Sequence, residues 1–181
     1  AANLVAAGID SLVVLGGDKH VGRTRAVEHA WQLRQLIRSR HAGLPLGGWA
    51  NPAGDPARQV AFVGAGDFTA DFYLTQIVSH HRLGDVEGFL READRQGVTV
   101  PGMFGVFYYR SAKTSTLQML SQFLPVPVDE LAAEFATGAT PVDVCARSIR
   151  ELMALGARHF YVSNLPLVRT ASVLNAILDK A

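Results

Sequence analysis

The sequence predicts an α/β fold, a parallel sheet wound as part of a (β/α)₈ TIM barrel, and three observations carry that reading. Short β-branched or aromatic runs alternate with longer amphipathic segments, the order of successive βα units. Most of these runs are apolar on both faces, as strands buried between two layers require. The turn after the first run reads Gly16-Gly17-Asp18-Lys19-His20-Val21-Gly22; it lacks G-x-G-x-x-G, so the doubly wound dinucleotide-binding alternative is without its fingerprint.

Five strands are expected, at residues 11–16, 44–50, 71–78, 98–107 and 158–163. A closed barrel takes about 250 residues and at least roughly 200. With 181 residues the chain holds about five of eight units, so residues 1–181 are expected to form a single partial TIM-barrel domain. Open apolar edge strands would invite aggregation, and the reading requires something to cover them.

The helices follow from periodicity and caps. Over residues 23–41, Ala26, Ala30, Leu33 and Ile37 share one face, and Gly43 is expected as a left-handed stop. Val86, Leu90 and Ala93 repeat the pattern before Gly97. The clearest helix has Thr140 as N-cap, Pro141 at its first position, Asp143 in its first turn and Val142, Cys145, Ile149 and Leu152 as its apolar stripe, closed by Gly156. Two helices, at residues 111–124 and 128–137, crowd the gap before the last strand and offer a surface for a homo-oligomer. A final helix covers residues 166–179. Residues 3–7 read as the end of a helix whose beginning is absent.

Composition narrows the function classes. Seventeen basic against 16 acidic side chains give a formal charge of +1, too weak a field to recruit nucleic acid or an anionic membrane. One cysteine, Cys145, makes no internal disulfide and suits a reducing, cytoplasmic location. No apolar run nears the roughly 18 residues of a membrane span, and no signal peptide is visible.

In parallel α/β folds chemistry sits at the carboxyl ends of the strands. Polar and aromatic residues expected there are Asp18, Lys19 and His20; Trp49, Asn51 and Asp55; Thr75, Gln76, His80 and His81; Tyr108, Tyr109 and Arg110; Ser163 and Asn164. Such a wide aromatic mouth suits a flat conjugated ligand better than a bare metal ion. No metal site is expected, because His80 and His81, as neighbours in a strand or turn, should point apart, and no H-x-x-x-H or C-x-x-C pair occurs. Cys145 reads as an inert core thiol. Arg23, Arg25, Arg34, Arg38 and Arg40 read as a solvated helix face. Gln76, a neutral amide ending an apolar strand, must find partners once buried. Reading an amide or pteridine edge and bonding neighbouring strand ends stand as equal alternatives.

Five segments, AGIDSLVVLGGD (7–18), WANPAGDP (49–56), DFYLTQ (71–76), GVTVPGMFGVF (97–107) and LGARHFYVSNLP (155–166), taken together resemble the methylenetetrahydrofolate reductases. They occur in that family's order and span nearly the whole chain, matching its strands four to eight. The resemblance implies a barrel that binds FAD and reduces 5,10-methylenetetrahydrofolate to 5-methyltetrahydrofolate with NADH or NADPH. It implies that Asp18 lies beside the flavin pyrimidine, that Gln76 contacts nicotinamide and folate in turn, that Trp49 and Asn51 contribute to the cofactor site, and that Tyr109 stacks on the substrate side. Asp18 and Gln76 become the expected catalytic residues. The sequence departs from the family at Gly16, where an arginine is usual, and at Asp55, where a histidine is common; a lysine that contacts the flavin phosphate is also lacking. Lys19 or Arg23 is expected to substitute for these donors. The family's general-acid glutamate belongs to its first strand, outside this sequence. Two other readings remain: a flavin-free reductase taking hydride directly from NAD(P)H or a deazaflavin, and a non-catalytic folate-binding module.

Overall fold

The structure is a computed structural model that describes residues 2–16 and 26–181. Five strands, β1 (Leu12–Val13), β2 (Leu46–Ala50), β3 (Phe72–Ile77), β4 (Gly102–Phe107) and β5 (His159–Ser163), form one all-parallel sheet in the order β1-β2-β3-β4-β5. Each chain crossover therefore returns to the adjacent position. That is the winding of a barrel, whereas a doubly wound sheet reverses its strand order at a switch point. The sheet curls as about half a barrel.

The helices are α1 (Ala2–Ala6), α2 (Ala30–Arg38), α3 (Pro56–Gly64), α4 (Leu83–Arg95), α5 (Thr114–Ser121), α6 (Val128–Ala136), α7 (Pro141–Ala154) and α8 (Thr170–Leu178). One sheet face packs on them. Ala50 and Tyr73 meet Val60 and Val63 of α3 and Phe89 of α4, and Phe104 and Val106 meet Val86, Cys145, Ile149, Leu152 and Ile177. Burial pushes the Cys145 thiol up to about 12, so it stays protonated and inert.

Local signals delimit several elements as expected. Thr140 Oγ1 accepts from the Asp143 N–H at 3.2 Å, and Asp143 Oδ2 accepts from the Thr140 N–H at 2.9 Å, a reciprocal capping box that starts α7. Gly97 and Gly156 close their helices with φ of +65° and +105°. The left-handed stop expected at Gly43 is absent, since its φ is not positive. Instead α2 ends at Ser39, whose N–H reaches the Gln35 carbonyl. The strand expected over residues 98–107 begins only at Gly102, because Pro101 has no N–H for the ladder; Val98 and Val100 still pack against the sheet–helix cluster.

The arginines of α2 are not a solvated face. Arg34 is 1% exposed; its Nε donates to the Phe68 carbonyl at 2.9 Å, Nη2 donates to the same oxygen, and Nη1 reaches the Val14 carbonyl at 3.3 Å. One helical turn on, Arg38 Nη2 donates to Asp71 Oδ2 at 2.7 Å, and the same oxygen accepts from the Leu46 N–H at 2.7 Å. These two side chains pin α2 to the residues that flank β1 and β3, and Asp71 sews the amino ends of β2 and β3 together.

Replacing Arg34 with methionine leaves the Phe68 and Val14 carbonyls buried without a donor. It should lower stability by about 2–3 kcal/mol, read as the urea midpoint at constant m-value. Burial works against ionisation of Asp71, but the Leu46 N–H and Arg38 outweigh it and hold the carboxyl below its ordinary range. The stabilisation it confers is complete above about pH 4 and is lost as pH falls through the lowered folded value. Unfolding curves of wild type and Asp71→Asn should therefore differ at neutral pH and converge in acid.

Candidate functional site

The sheet face opposite Tyr73 and Phe104 carries Trp49, Leu74, Met103, Phe107 and Tyr161, all half-buried, with Phe107 also packed against the α5–α6 cluster. Register sets this grouping: Trp49 pairs with Leu74, Leu74 with Met103, and Gly105 with Tyr161. Glycine at two positions makes room for rings. A Cβ on Gly47 would stand 2.6 Å from the Phe72 ring, and one on Gly105 would stand 2.4 Å from Tyr161 Cζ.

Between β3 and β4 the pairing slips. Leu74 opposes Met103 and Ile77 opposes Gly105, so Thr75 and Gln76 together face the single residue Phe104. This is a β-bulge, which breaks the ladder and re-aims a side chain. Side chains take up every group it frees. The Gly105 N–H donates to Thr75 Oγ1 at 3.0 Å, and that hydroxyl donates to the Gln76 carbonyl at 2.8 Å. Gln76 Oε1 accepts from the Ile77 N–H at 2.9 Å. The Tyr161 hydroxyl reaches across Gly105 from β5 to donate to the Thr75 carbonyl at 2.6 Å, and burial, by pushing its pKa up to about 12, keeps it a donor.

Gln76 does not bond a neighbouring strand end; it turns back on its own strand, to the Ile77 N–H. Its oxygen is committed to the strand end, while its amide nitrogen makes no hydrogen bond among the described residues, and the side chain is partly exposed. Trp49 lies on the same sheet at the end of β2. Asn51 caps the turn that follows: its Oδ1 accepts from the Ala53 N–H and its own N–H donates to Gln59 Oε1. Asp55 is the N-cap of α3, accepting from the Arg58 N–H at 2.8 Å. Asp18, Lys19, His20 and Arg23 lie outside the described residues.

Tyr109 is a correction. Expected to stack on a ligand at the rim, it is 4% exposed and packs among Leu117, Val126, Leu131 and Val144, with its ring 4.9 Å from that of Phe107. The helical pair α5–α6 supplies this pocket and closes over the residues after β4. Tyr108 is likewise buried, in the cluster beneath α7. Arg110 and Asn164 tie the two last loops together: Arg110 Nε donates to the Asn164 carbonyl at 3.1 Å, and Asn164 Nδ2 donates to the Tyr108 carbonyl at 3.0 Å. The aromatic surface is thus built from Trp49, Phe107 and Tyr161.

A second polar group stands at the end of β3. His80 and His81 fall in a 3₁₀ turn, His80–Arg82, which does not splay neighbours as an extended strand would. Their rings lie side by side, centroids 3.9 Å apart, which corrects the expectation that they point apart. Both Nε2 atoms stand 3.0 Å from Glu134 Oε2 on α6. His80 Nδ1 meets Ser148 Oγ of α7 at 2.8 Å. Arg147 Nη1 stands 2.9 Å from Glu134 Oε1 as a charge pair, off the line a hydrogen bond needs. Burial, and then the neighbouring His81, lower the His80 pKa and favour the neutral ring. Sequence reasoning missed this group because Glu134 is 53 residues from its nearest histidine.

The α3 N-terminus, where helix amides would meet a phosphate, is already occupied by the Asp55 carboxylate.

No protein-family model matches the chain, and no curated protein matches it. Among solved structures, the fold resembles an uncharacterized protein from Clostridium thermocellum that binds two copies of 5-methyl-5,6,7,8-tetrahydrofolic acid, with a TM-score of 0.61 and 19% identity. The match covers 93% of this chain and 62% of that one, so this chain spans less than two thirds of its neighbour's length. Within the described residues no helix is long and apolar enough to cross a membrane.

The bulge is testable apart from any ligand. Tyr161→Phe removes one hydrogen bond and should cost about 1 kcal/mol. Gly105→Ala must displace the Tyr161 ring and should cost more, about 1–3 kcal/mol. Thermal unfolding of the two variants should rank them in that order.

Proposed function

We propose that the sheet face carrying Trp49, Gln76 and Tyr161 at the carboxyl ends of β2 to β5 binds the pterin of a reduced folate, within an oxidoreductase of the methylenetetrahydrofolate reductase type. The observation that carries the reading is the Gln76 carboxamide. Set on a bulge, it spends its oxygen on the backbone, and its amide nitrogen, without a hydrogen bond among the described residues, is placed to donate to the nitrogen and oxygen acceptors of a pterin edge. Trp49, Phe107 and Tyr161 add ring surface for a flat heterocycle. The likeness to a protein that binds 5-methyltetrahydrofolate supports the same ligand class.

In that reaction a proton on N10 opens the five-membered ring of methylenetetrahydrofolate, leaving an iminium at N5. A hydride equivalent from NADH or NADPH reduces the iminium to the methyl group, and the oxidised nicotinamide leaves. The part of this chain's residues is to orient and to keep water out: Gln76 holds the pterin edge, and the Tyr161–Thr75 bond holds the bulge that aims Gln76. Asp18, by its likeness to the family's aspartate, is the second orienting group. The Asp55 cap favours the flavin-free form of the reading, in which the nicotinamide delivers hydride directly to the folate.

Titration of the full chain with 5-methyltetrahydrofolate in a Trp31→Phe background should quench Trp49 fluorescence. Gln76→Met should weaken binding roughly tenfold, the equivalent of one lost hydrogen bond of about 1.4 kcal/mol. A colourless protein that oxidises NADH or NADPH only when methylenetetrahydrofolate is present would establish direct transfer. A yellow protein bleached by the nicotinamide would establish a flavin route, and folate binding without turnover would leave a binding module. Absence of folate binding overturns the reading.

A further inference from the structure

The cluster at the end of β3 has a donor set that the folate reading does not use. Two imidazole nitrogens and one carboxylate oxygen lie within 4.8 Å of one another. Each Nε2 is 3.0 Å from Glu134 Oε2. A tetrahedral zinc with bonds of about 2.0–2.2 Å holds its ligand atoms roughly 3.3 Å apart, so both imidazole–carboxylate distances are within a few tenths of an ångström of what an ion needs. Their side chains are 8%, 14% and 6% exposed for His80, His81 and Glu134, which places the ion in a largely dry site open at the His81 side.

We propose that His80, His81 and Glu134 form a binding site for a divalent transition-metal ion of the zinc class, with the fourth position left to water. Two imidazoles and a carboxylate exclude the all-oxygen preference of calcium and magnesium. The surrounding contacts are those that orient metal ligands. Ser148 holds His80 Nδ1, and Arg147 pairs with Glu134 Oε1, leaving Oε2 for the ion. The same side chains serve both states with a small adjustment. Without an ion, both Nε2–H groups donate to Oε2 and the Ser148 hydroxyl donates to His80 Nδ1. With an ion, each Nε2 offers its lone pair and each ring carries its proton on Nδ1, that of His80 being donated to Ser148 Oγ. A site of this kind has an open coordination position at the same end of the sheet as Gln76, yet its residues are separate from those that would hold the pterin.

The test uses the full chain with any affinity tag removed, stripped by a chelator and titrated with cobalt(II), then with zinc in competition. One equivalent of cobalt should give the visible absorption of a four- or five-coordinate ion, and zinc should displace it. His81→Asn should weaken cobalt binding at least a hundredfold and Ser148→Ala roughly tenfold, with circular dichroism confirming that each variant is folded. A wild-type chain that shows no cobalt absorption and retains no zinc overturns the proposal and leaves the cluster a hydrogen-bonded clamp. Binding that survives His81→Asn undiminished overturns it as well. Because no folate enters these measurements, their failure is separate from failure of the folate reading.

Discussion

The slip in register between β3 and β4 is the constraint from which the candidate site follows. A bulge inside a sheet strands backbone donors and acceptors, and such groups are costly when buried. Here Thr75, Gln76 and Tyr161 supply the missing partners, so the distortion persists as a defined shape. Gly105 is part of the same arrangement, since a side chain there would collide with the ring that crosses it. Among the described residues this combination leaves over one amide nitrogen, that of the partly exposed Gln76.

The two ends of the sheet are treated differently. Near the amino ends, charged side chains of α2 are spent on holding elements together: Arg34 on buried carbonyls and Arg38 on the carboxylate that bridges β2 and β3. At the carboxyl ends the loops after β4 and β5 are locked by Arg110 and Asn164, while Trp49 and Tyr161 on the sheet face stay half-buried. Rigid support on one side and a half-buried aromatic face on the other are what a binding site for a flat ligand requires. The histidine pair belongs to the supporting side: it joins the turn after β3 to α6 and α7, and the first long helix after that turn, α4, packs against the same core.

Much of the fold was legible because its signals are short-range. The Thr140–Pro141–Asp143 start of α7 is decided within four residues, and all five strand segments announce themselves as apolar runs. Boundaries also went astray: β1 is only Leu12–Val13 of the expected 11–16, α2 begins at Ala30, the fourth strand starts after Pro101, which cannot donate, and Gly43 is not needed as a stop once Ser39 has closed α2. Tyr109 misled because its position after β4 says nothing about the two helices that later fold over it, and Arg34 misled because helical spacing alone does not reveal a pair of carbonyls waiting on other elements.

By itself the sequence determined the parallel α/β class, the number of strands, the inert character of Cys145 and the placement of Gln76 at a strand end. Those properties depend on side-chain chemistry and on spacings of a few residues. Only the tertiary structure decided the consecutive strand order, the bulge that commits one half of the Gln76 amide, the burial of Tyr109, and the meeting of His80 and His81 with Glu134. Each of these is a contact between segments remote along the chain, whose free energy depends on how the whole sheet and its helices close, and no local pattern encodes it.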